Sequence, residues 1–147
     1  MISQHERNNR FIRPNFQTYT LVKSACVRTF KYLSPEEKRK NFDIVMRTFQ
    51  DVARNVYGLK PGSISFRIML TACKSLLPPG REQQNNIRAI FEHCCRVGVV
   101  DRPIFYEFRA TADRETFQLV TGLDENASLG ELPVEWRKNS KQFNNNL

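Results

Sequence analysis

The stretch GLKPGSISFRIMLTAC, residues 58–73, contains a helix stop and the start of a new helix. Gly58 is expected to end the preceding helix in a left-handed cap, and Pro61 to redirect the chain. Apolar residues then recur at helical spacing: Phe66, Met69, Leu70, Cys73 and Leu77. A strand over Ser63 to Leu70 is the alternative, but strict alternation of apolar and polar residues fails at Ile68, Met69 and Leu70. The pattern therefore favours a short amphipathic helix.

The same arrangement occurs earlier in the chain, in FIRPNFQTYTLVKSAC, residues 11–26. Both stretches have a proline, an aromatic residue five positions later, and Ala-Cys at eleven and twelve positions later. A weaker third copy is DRPIFYEFRATAD, residues 101–113, in which Asp101 takes the proline position and Tyr106 the aromatic one. The matched offsets indicate one structural unit written more than once.

A longer helix is expected after each of the first two stretches. Ser34, Pro35 and Glu37 form a capping box at the start of a predicted helix over 34–57. A second helix is predicted over 81–97, ended by Gly98. The apolar stripe of the first helix comprises Phe42, Val45, Met46, Phe49, Val52, Ala53 and Val56. The stripe of the second comprises Ile87, Ile90, Phe91, Cys94 and Val97.

The repeated unit is thus helix A, loop, helix B, loop, with starts near residues 14, 61 and 101. Self-similarity at such a period is typical of a solenoid of stacked helix pairs. We predict an all-α chain: an extension over 1–13, about two and a half repeats over 14–121, and a C-terminal cap with a disordered Asn-rich tail over 122–147. So few units favour a piece of a longer protein. The alternative is a plain helical bundle.

Composition suggests a polyanionic partner. The chain has 147 residues, 40% of them hydrophobic, and 23 Lys and Arg against 15 Asp and Glu, for a formal net charge of +8. Nucleic acid or an anionic membrane fits this charge, and a soluble domain that is merely basic is the alternative. A membrane-spanning segment is not expected, since no run approaches 18 apolar residues.

The cysteines Cys26, Cys73, Cys94 and Cys95 match no disulfide framework or zinc signature, which predicts reduced thiols and a reducing compartment. No metal site is expected at His93-Cys94-Cys95, because adjacent helical residues diverge by ~100°. Nucleotide, metalloprotease and nucleophile-elbow motifs are missing from the sequence. Asp113, Asp124 and Glu125 form no convincing catalytic set. We therefore expect no cofactor and no enzymatic activity.

The segments GLKP, SFRIMLTAC and RPNFQTYTLVKSAC together resemble the pentatricopeptide repeat family. The resemblance covers roughly residues 12–121. It implies a right-handed α-solenoid that binds single-stranded RNA, one base per repeat, along the A helices. It also suggests an organelle, mitochondrion or plastid, as the location; Arg7, Arg10 and Arg13 near the N-terminus are of the kind found in transit peptides.

In this family, specificity rests on the residue after the aromatic and on the residue before the next unit's first helix. The first position is occupied by Thr20, Arg67 and Glu107, and the second by Gly62 and Arg102. These are not the small polar pairs with which the family reads bases, so the resemblance implies backbone binding more than base reading. The predicted nucleic-acid-binding residues are Thr20, Lys23, Arg67, Thr71, Lys74, Arg102 and Arg114.

Helical spacing also predicts that these residues lie on one surface. Arg67 and Lys74 are two turns apart on one face, and stacked units are expected to align Lys23, Arg67, Lys74 and Arg114 in one track. Cations with hydroxyl side chains between them suit a phosphate backbone. The alternatives are an ordinary solvated helix face, a scaffold whose groove holds a protein helix, and a fragment of an organellar RNA-processing enzyme whose catalytic part lies elsewhere.

Overall fold

The computed structural model describes residues 32–54 and 62–140. Within those ranges it has no strand, and the predicted all-α class is confirmed. The helices of eight or more residues are α1 (Pro35–Ala53), α2 (Ser63–Leu76), α3 (Arg81–Val97), α4 (Arg102–Thr111) and α5 (Arg114–Thr121). A 3₁₀ turn (Leu129–Glu131) and the short α6 (Val134–Arg137) follow. The predicted first A helix and the N-terminal extension lie outside the described residues.

Helix α1 begins as its sequence predicts. The Ser34 hydroxyl accepts a hydrogen bond from the Glu37 backbone N–H, and the Glu37 carboxylate accepts one from the Ser34 N–H, both at 3.2 Å. This capping box satisfies two N–H groups that have no partner inside the helix. Four residues of the predicted stripe are buried: Phe42, Val45, Phe49 and Val52. The structure ends α1 at Ala53, before the predicted residue 57, and Gly58 itself lies outside the described residues.

Helix α2 confirms the helical interpretation of the opening stretch. All five residues of its predicted stripe are buried. The predicted cap of α3 is also confirmed, because Gly98 takes a left-handed φ of 81°. A side chain on Gly98 would meet the Asn139 amide nitrogen at 3.0 Å and the Glu135 carbonyl oxygen at 3.1 Å, so this turn needs glycine for space as well as for conformation.

Aspartates start the two helices of the third pair. The Asp101 carboxylate accepts a hydrogen bond from the Ile104 N–H at 2.9 Å, and the Asp113 carboxylate accepts one from the Thr116 N–H at 2.7 Å. These are N-cap bonds, which typically contribute about 1 kcal/mol each. Helix α4 ends at Thr111 and α5 begins at Arg114, so only two residues connect them in a tight helical hairpin.

Two neighbouring glutamines connect the helix ends. The buried Gln83 side chain donates to the backbone carbonyls of Cys73, Lys74 and Leu77 at 3.0–3.3 Å. The Gln84 side chain donates to the Thr111 carbonyl at 3.3 Å, and its oxygen accepts from the Asp113 N–H at 2.9 Å. We call this pair the glutamine joint. It supplies donors to carbonyls in the last turns of α2 and α4, where carbonyls without an intrahelical partner occur; the Cys73 carbonyl also accepts from the Leu77 N–H at 3.3 Å.

The glutamine joint also fixes helix directions. Gln83 and Gln84 belong to the first turn of α3, and they bind the last turns of α2 and α4. Both of those helices therefore end where α3 begins. They run antiparallel to α3 and parallel to each other, and they pack against each other directly. We call α2 and α4 the A layer.

Helices α1, α3 and α5 form the B layer. Arg39 near the start of α1 pairs with Glu82 near the start of α3, and the Phe49 and His93 rings meet further along at 5.9 Å between centroids. Helix α1 is therefore parallel to α3. Helix α5 starts at the same end, next to Gln84, and packs on α3. Each A helix is antiparallel to the B helices that precede and follow it in the sequence, as the predicted units require.

Aromatic side chains join the two layers. Phe91 of α3 stacks on Phe108 of α4, with ring centroids 3.8 Å apart, and Phe108 lies 5.7 Å from Phe117 of α5. Phe66 of α2 meets Phe49 of α1 edge-on at 5.3 Å. A buried phenylalanine contributes roughly 1.5–3 kcal/mol. These rings lie at the inter-helix contacts, so they stabilise the stacking of pairs as well as each pair.

The segment after α5 returns to cover α3. Trp136 meets Phe91 edge-on at 6.1 Å, and its carbonyl accepts a hydrogen bond from the Val100 N–H at 2.9 Å. The Asn139 amide donates to the Val97 carbonyl at 2.8 Å. Trp136 thus packs this segment as a cap onto α3. Residues 141–147, the predicted tail, lie outside the described residues.

Replacing Gln83 by alanine is expected to lower the free energy of unfolding by about 2 kcal/mol or more, because three carbonyls at the end of α2 lose their donor. Gln83→Glu keeps the shape but replaces the donor by an acceptor, and is expected to cost at least as much. Urea denaturation measures both. The control is Asn85→Ala, at an exposed site on the same turn, which is expected to change stability by less than about 0.5 kcal/mol. A small loss for both Gln83 variants would show that the joint does not stabilise the fold.

Candidate nucleic-acid interface

The outward face of α2 carries the central pair of predicted binding residues. Arg67 and Lys74 are both exposed and share this face with Ile64 and Thr71. Seven residues separate the two cations, a rise of about 10 Å along the helix. Neither side chain has an ion pair or hydrogen bond within the described part of the chain. We call the outward surface of α2 and α4 the A face.

Thr71 is engaged inside the protein. Its hydroxyl lies 2.6 Å from a Glu107 carboxylate oxygen on α4 and 3.1 Å from the Arg67 carbonyl. Thr71 and Glu107 therefore meet at the contact between α2 and α4. The hydroxyl proton is used in that contact. Thr71 is partly buried, so it stabilises the α2–α4 contact and is a poor candidate for binding a ligand.

The structure corrects the register of the third unit by one residue. Measured from the N-caps Gly62 and Asp101, the equivalent of buried Phe66 is Phe105, which is 2% exposed. Tyr106, which was predicted to be the core aromatic, is 57% exposed. The position after the aromatic is therefore held by Tyr106 and not by Glu107. Adjacent aromatic residues in PIFYEF made the sequence alignment ambiguous.

Tyr106 consequently takes the same place on α4 as Arg67 does on α2. Sequence analysis missed it as a surface residue, although N-cap chemistry at Asp101 gave the signal: an N-cap Asp fixes which residue is fourth in the helix. Arg109, one turn further along, lies over the Phe105 ring at 4.6 Å and donates to the Ala127 carbonyl. Arg109 therefore connects α4 to the following loop.

The remaining predicted residues do not all belong to the A face. Arg114 was predicted on the third A helix, but α4 ends at Thr111 and Arg114 is the first residue of α5, paired with Glu125 at 3.1 Å. Arg102 is exposed at the start of α4, with contacts of its own. Thr20 and Lys23 lie outside the described residues.

The excess positive charge is unevenly distributed along the sequence. The described residues contain nearly equal numbers of basic and acidic side chains. Most of the excess lies in the first 31 residues, whose only acidic residue is Glu6 and whose basic residues are Arg7, Arg10, Arg13, Lys23, Arg28 and Lys31. The A face is therefore a locally basic strip on a nearly neutral helical body.

The His93, Cys94 and Cys95 run is packed into the core. Burial raises the pKa of Cys95 to about 12 and that of Cys94 further above its ordinary range. Thiols that stay protonated are poor nucleophiles and poor metal ligands. His93 lies edge-on to Phe49 and Phe66. Over the residues that the structure describes, no three potential metal ligands come together.

No family model matches the chain, and neither the curated proteins nor the solved structures include a match to it. Among the described helices, none has the length and apolarity to cross a membrane.

Acidification is expected to destabilise the protein through His93. Burial and the nearby Arg96 charge lower the pKa of His93 in the folded chain. The neutral imidazole therefore favours folding above the unfolded pKa of about 6.5, and this contribution is lost as pH falls through the folded pKa. Urea denaturation at pH 8 and pH 5 measures it, with His93→Phe expected to show a smaller loss of stability than the wild type.

The matched control is His5→Gln, which changes the other histidine of the chain. This variant is expected to keep the pH dependence of the wild type. Equal pH dependence in wild type and His93→Phe would contradict the role given to His93.

Proposed function

We propose that the chain is a diverged pentatricopeptide-like helical repeat that holds single-stranded RNA on its A face. The observation that supports this most directly is the matched placement of Arg67 and Tyr106 on parallel, adjacent helices. Both side chains are exposed, and Lys74 continues the strip. A planar cation and an aromatic ring suit bases, and a lysine suits a phosphate.

The repeat interpretation rests on the layers. Helices α2 and α4 are parallel in the A layer, and α1, α3 and α5 are parallel in the B layer, so each pair stands in the same relation to the next. In a right-handed solenoid of about two and a half such units, α1 is the B helix of the first unit and Gly62 and Asp101 begin the second and third. The A helices then line one continuous surface.

The identities on this surface favour holding RNA over reading its sequence. Arg67 and Tyr106 stack on any base, because every base has a π-face, and neither presents the paired donors and acceptors that distinguish one base edge from another. The expected binding is sequence-tolerant and weakened by salt. The basic first 31 residues add attraction for the phosphates.

Binding is tested with the full chain and a fluorescently labelled single-stranded RNA of about 20 nucleotides, by anisotropy across salt concentrations. Arg67→Glu with Lys74→Glu is expected to weaken binding at least tenfold at low salt and to flatten the salt dependence, since each lost phosphate contact removes about 0.7 from the slope of log K against log salt. Tyr106→Ala is expected to weaken the binding free energy by ~1–3 kcal/mol and to leave the slope of log K against log salt unchanged.

The control is Arg47→Glu with Arg81→Glu, two exposed B-layer positions that make the same change of net charge. It is expected to weaken binding only modestly. No binding at low salt, or equal losses in the two double variants, would contradict the proposal.

A protein-binding scaffold is the second candidate function. The observation in its favour is that the A face also exposes apolar side chains, with Ile64 44% and Tyr106 57% exposed, on a body of nearly zero net charge. Failure of RNA binding together with loss of a stoichiometric protein partner in an Ile64→Ser variant would favour it.

A further inference from the structure

A groove between the parallel helices α1 and α3 forms a second surface, separate from the A face. Small or apolar side chains line most of its floor, with Met46 and Ala53 from α1 and Ala89 and Ile90 from α3, and the amides of Gln50 and Asn86 line it as well. Beneath it the Phe49 and His93 rings rest on Phe66 of α2, at 5.3 and 5.5 Å between centroids. Because α2 lies below this floor, the groove opens on the outer side of the B layer.

Two arginines stand at one end of this groove. Arg54 follows the last turn of α1, Arg96 lies in the last turn of α3, and both are exposed. Neither side chain has an ion pair or hydrogen bond to another part of the chain that the structure describes. The α1–α3 groove is therefore lined by apolar side chains and two amides and has one cationic end.

Two of the other B-layer arginines are neutralised by ion pairs. Arg39 pairs with Asp43 and Glu82, and Arg88 pairs with Glu92. Among the described residues, exposed Arg47 and Arg81 also have no ion pair, but Arg54 and Arg96 are the arginines that line this groove. Helix C-termini favour cations, which accounts for one arginine on each helix but not for a shared apolar groove beside them.

We propose that the α1–α3 groove docks an amphipathic helical peptide of another protein, with its apolar side on the floor and its carboxylates on Arg54 and Arg96. The groove between Met46 and Arg54 is about 12 Å long, which matches two to three turns of a helix. Ala53 and Ala89 leave room for a helix backbone to approach. Two arginines at one end set the direction of the peptide, because carboxylates on the wrong end would face the Arg39 and Glu82 pair.

The chemistry of the groove favours a peptide over RNA. A single-stranded nucleic acid needs free aromatic faces and cations along its whole path. The rings under this groove are packed edge-on against one another, and the cations are confined to one end. Amphipathic helices are recognised by this combination of an apolar groove and a charged rim.

The test uses the full chain and two fluorescein-labelled helical peptides of about 14 residues. Both have leucines at i, i+3 and i+7; one has glutamates beside them towards one end, and the other has lysines at the same positions. The glutamate peptide is expected to bind and the lysine peptide to bind at least tenfold more weakly. The ring resonances of His93, which lies in the groove, are expected to shift on binding.

Three variants locate the site. Arg54→Glu with Arg96→Glu is expected to weaken binding of the glutamate peptide at least tenfold. The charge-matched Arg47→Glu with Arg81→Glu is expected to weaken it about twofold or less. Ala89→Trp fills the groove from an exposed position and is expected to block binding while circular dichroism and unfolding stay unchanged. The Arg67→Glu with Lys74→Glu variant of the A face is expected to bind the peptide normally.

Several results would overturn the proposal. They are equal binding of the two peptides, equal losses in the two B-layer double variants, unchanged binding by Ala89→Trp, or no binding up to about 1 mM peptide, an affinity of only about −4 kcal/mol. Shifts of His93 produced by the single-stranded RNA and not by the glutamate peptide would assign the groove to nucleic acid and also overturn it. None of these outcomes bears on RNA binding at the A face, which the Arg67 and Lys74 variants test.

Discussion

Gln83 and Gln84 connect the ends of α2 and α4 to the first turn of α3. The last turn of any helix leaves carbonyls without partners, and here α2 ends in the interior between its neighbours, where water does not reach Cys73. One buried amide donates to three carbonyls at this end of α2, one of which, that of Cys73, also accepts from the Leu77 N–H, and the next amide bonds both sides of the α4–α5 turn. Because both glutamines belong to one helix, α2 and α4 have to end at the same level and run in the same direction. The two-layer arrangement follows from that constraint.

This arrangement separates two surfaces with different chemistry. The A face has Arg67, Lys74 and Tyr106 on parallel helices, with the Thr71 and Glu107 contact holding the helices together between them. The outer side of the B layer has an apolar groove with Arg54 and Arg96 at one end. Ion pairs engage Arg39, Arg88, Arg114 and Lys138, and the helical body that the structure describes is nearly neutral.

The comparison of sequence with structure is most instructive at the third unit. Spacing alone placed Tyr106 in the core and Glu107 on the surface, and it placed Arg114 on the A helix. The structure buries Phe105, exposes Tyr106 and starts a new helix at Arg114. Three aromatic residues within PIFYEF satisfy the helical period in more than one register, and the difference is decided by Phe105 and Phe108 packing on Phe117. The candidate site changed accordingly, from a row of cations with hydroxyl groups to a shorter strip of cations with one aromatic ring.

The sequence by itself determined the helices, because capping residues, glycine stops and apolar periodicity are local. Ser34 with Glu37, Gly98 and the stripes of α1, α2 and α3 are found where those signals place them. It also determined that Cys73 and Cys94 are core residues, since they share the apolar helical faces. Only the tertiary structure decided which exposed side chains share a surface. It also decided that the Thr71 hydroxyl contacts the Glu107 carboxylate and that Gln83 is buried among backbone carbonyls. These depend on contacts between residues far apart in the chain, and helical periodicity specifies which side of a helix is buried but not which helix covers it.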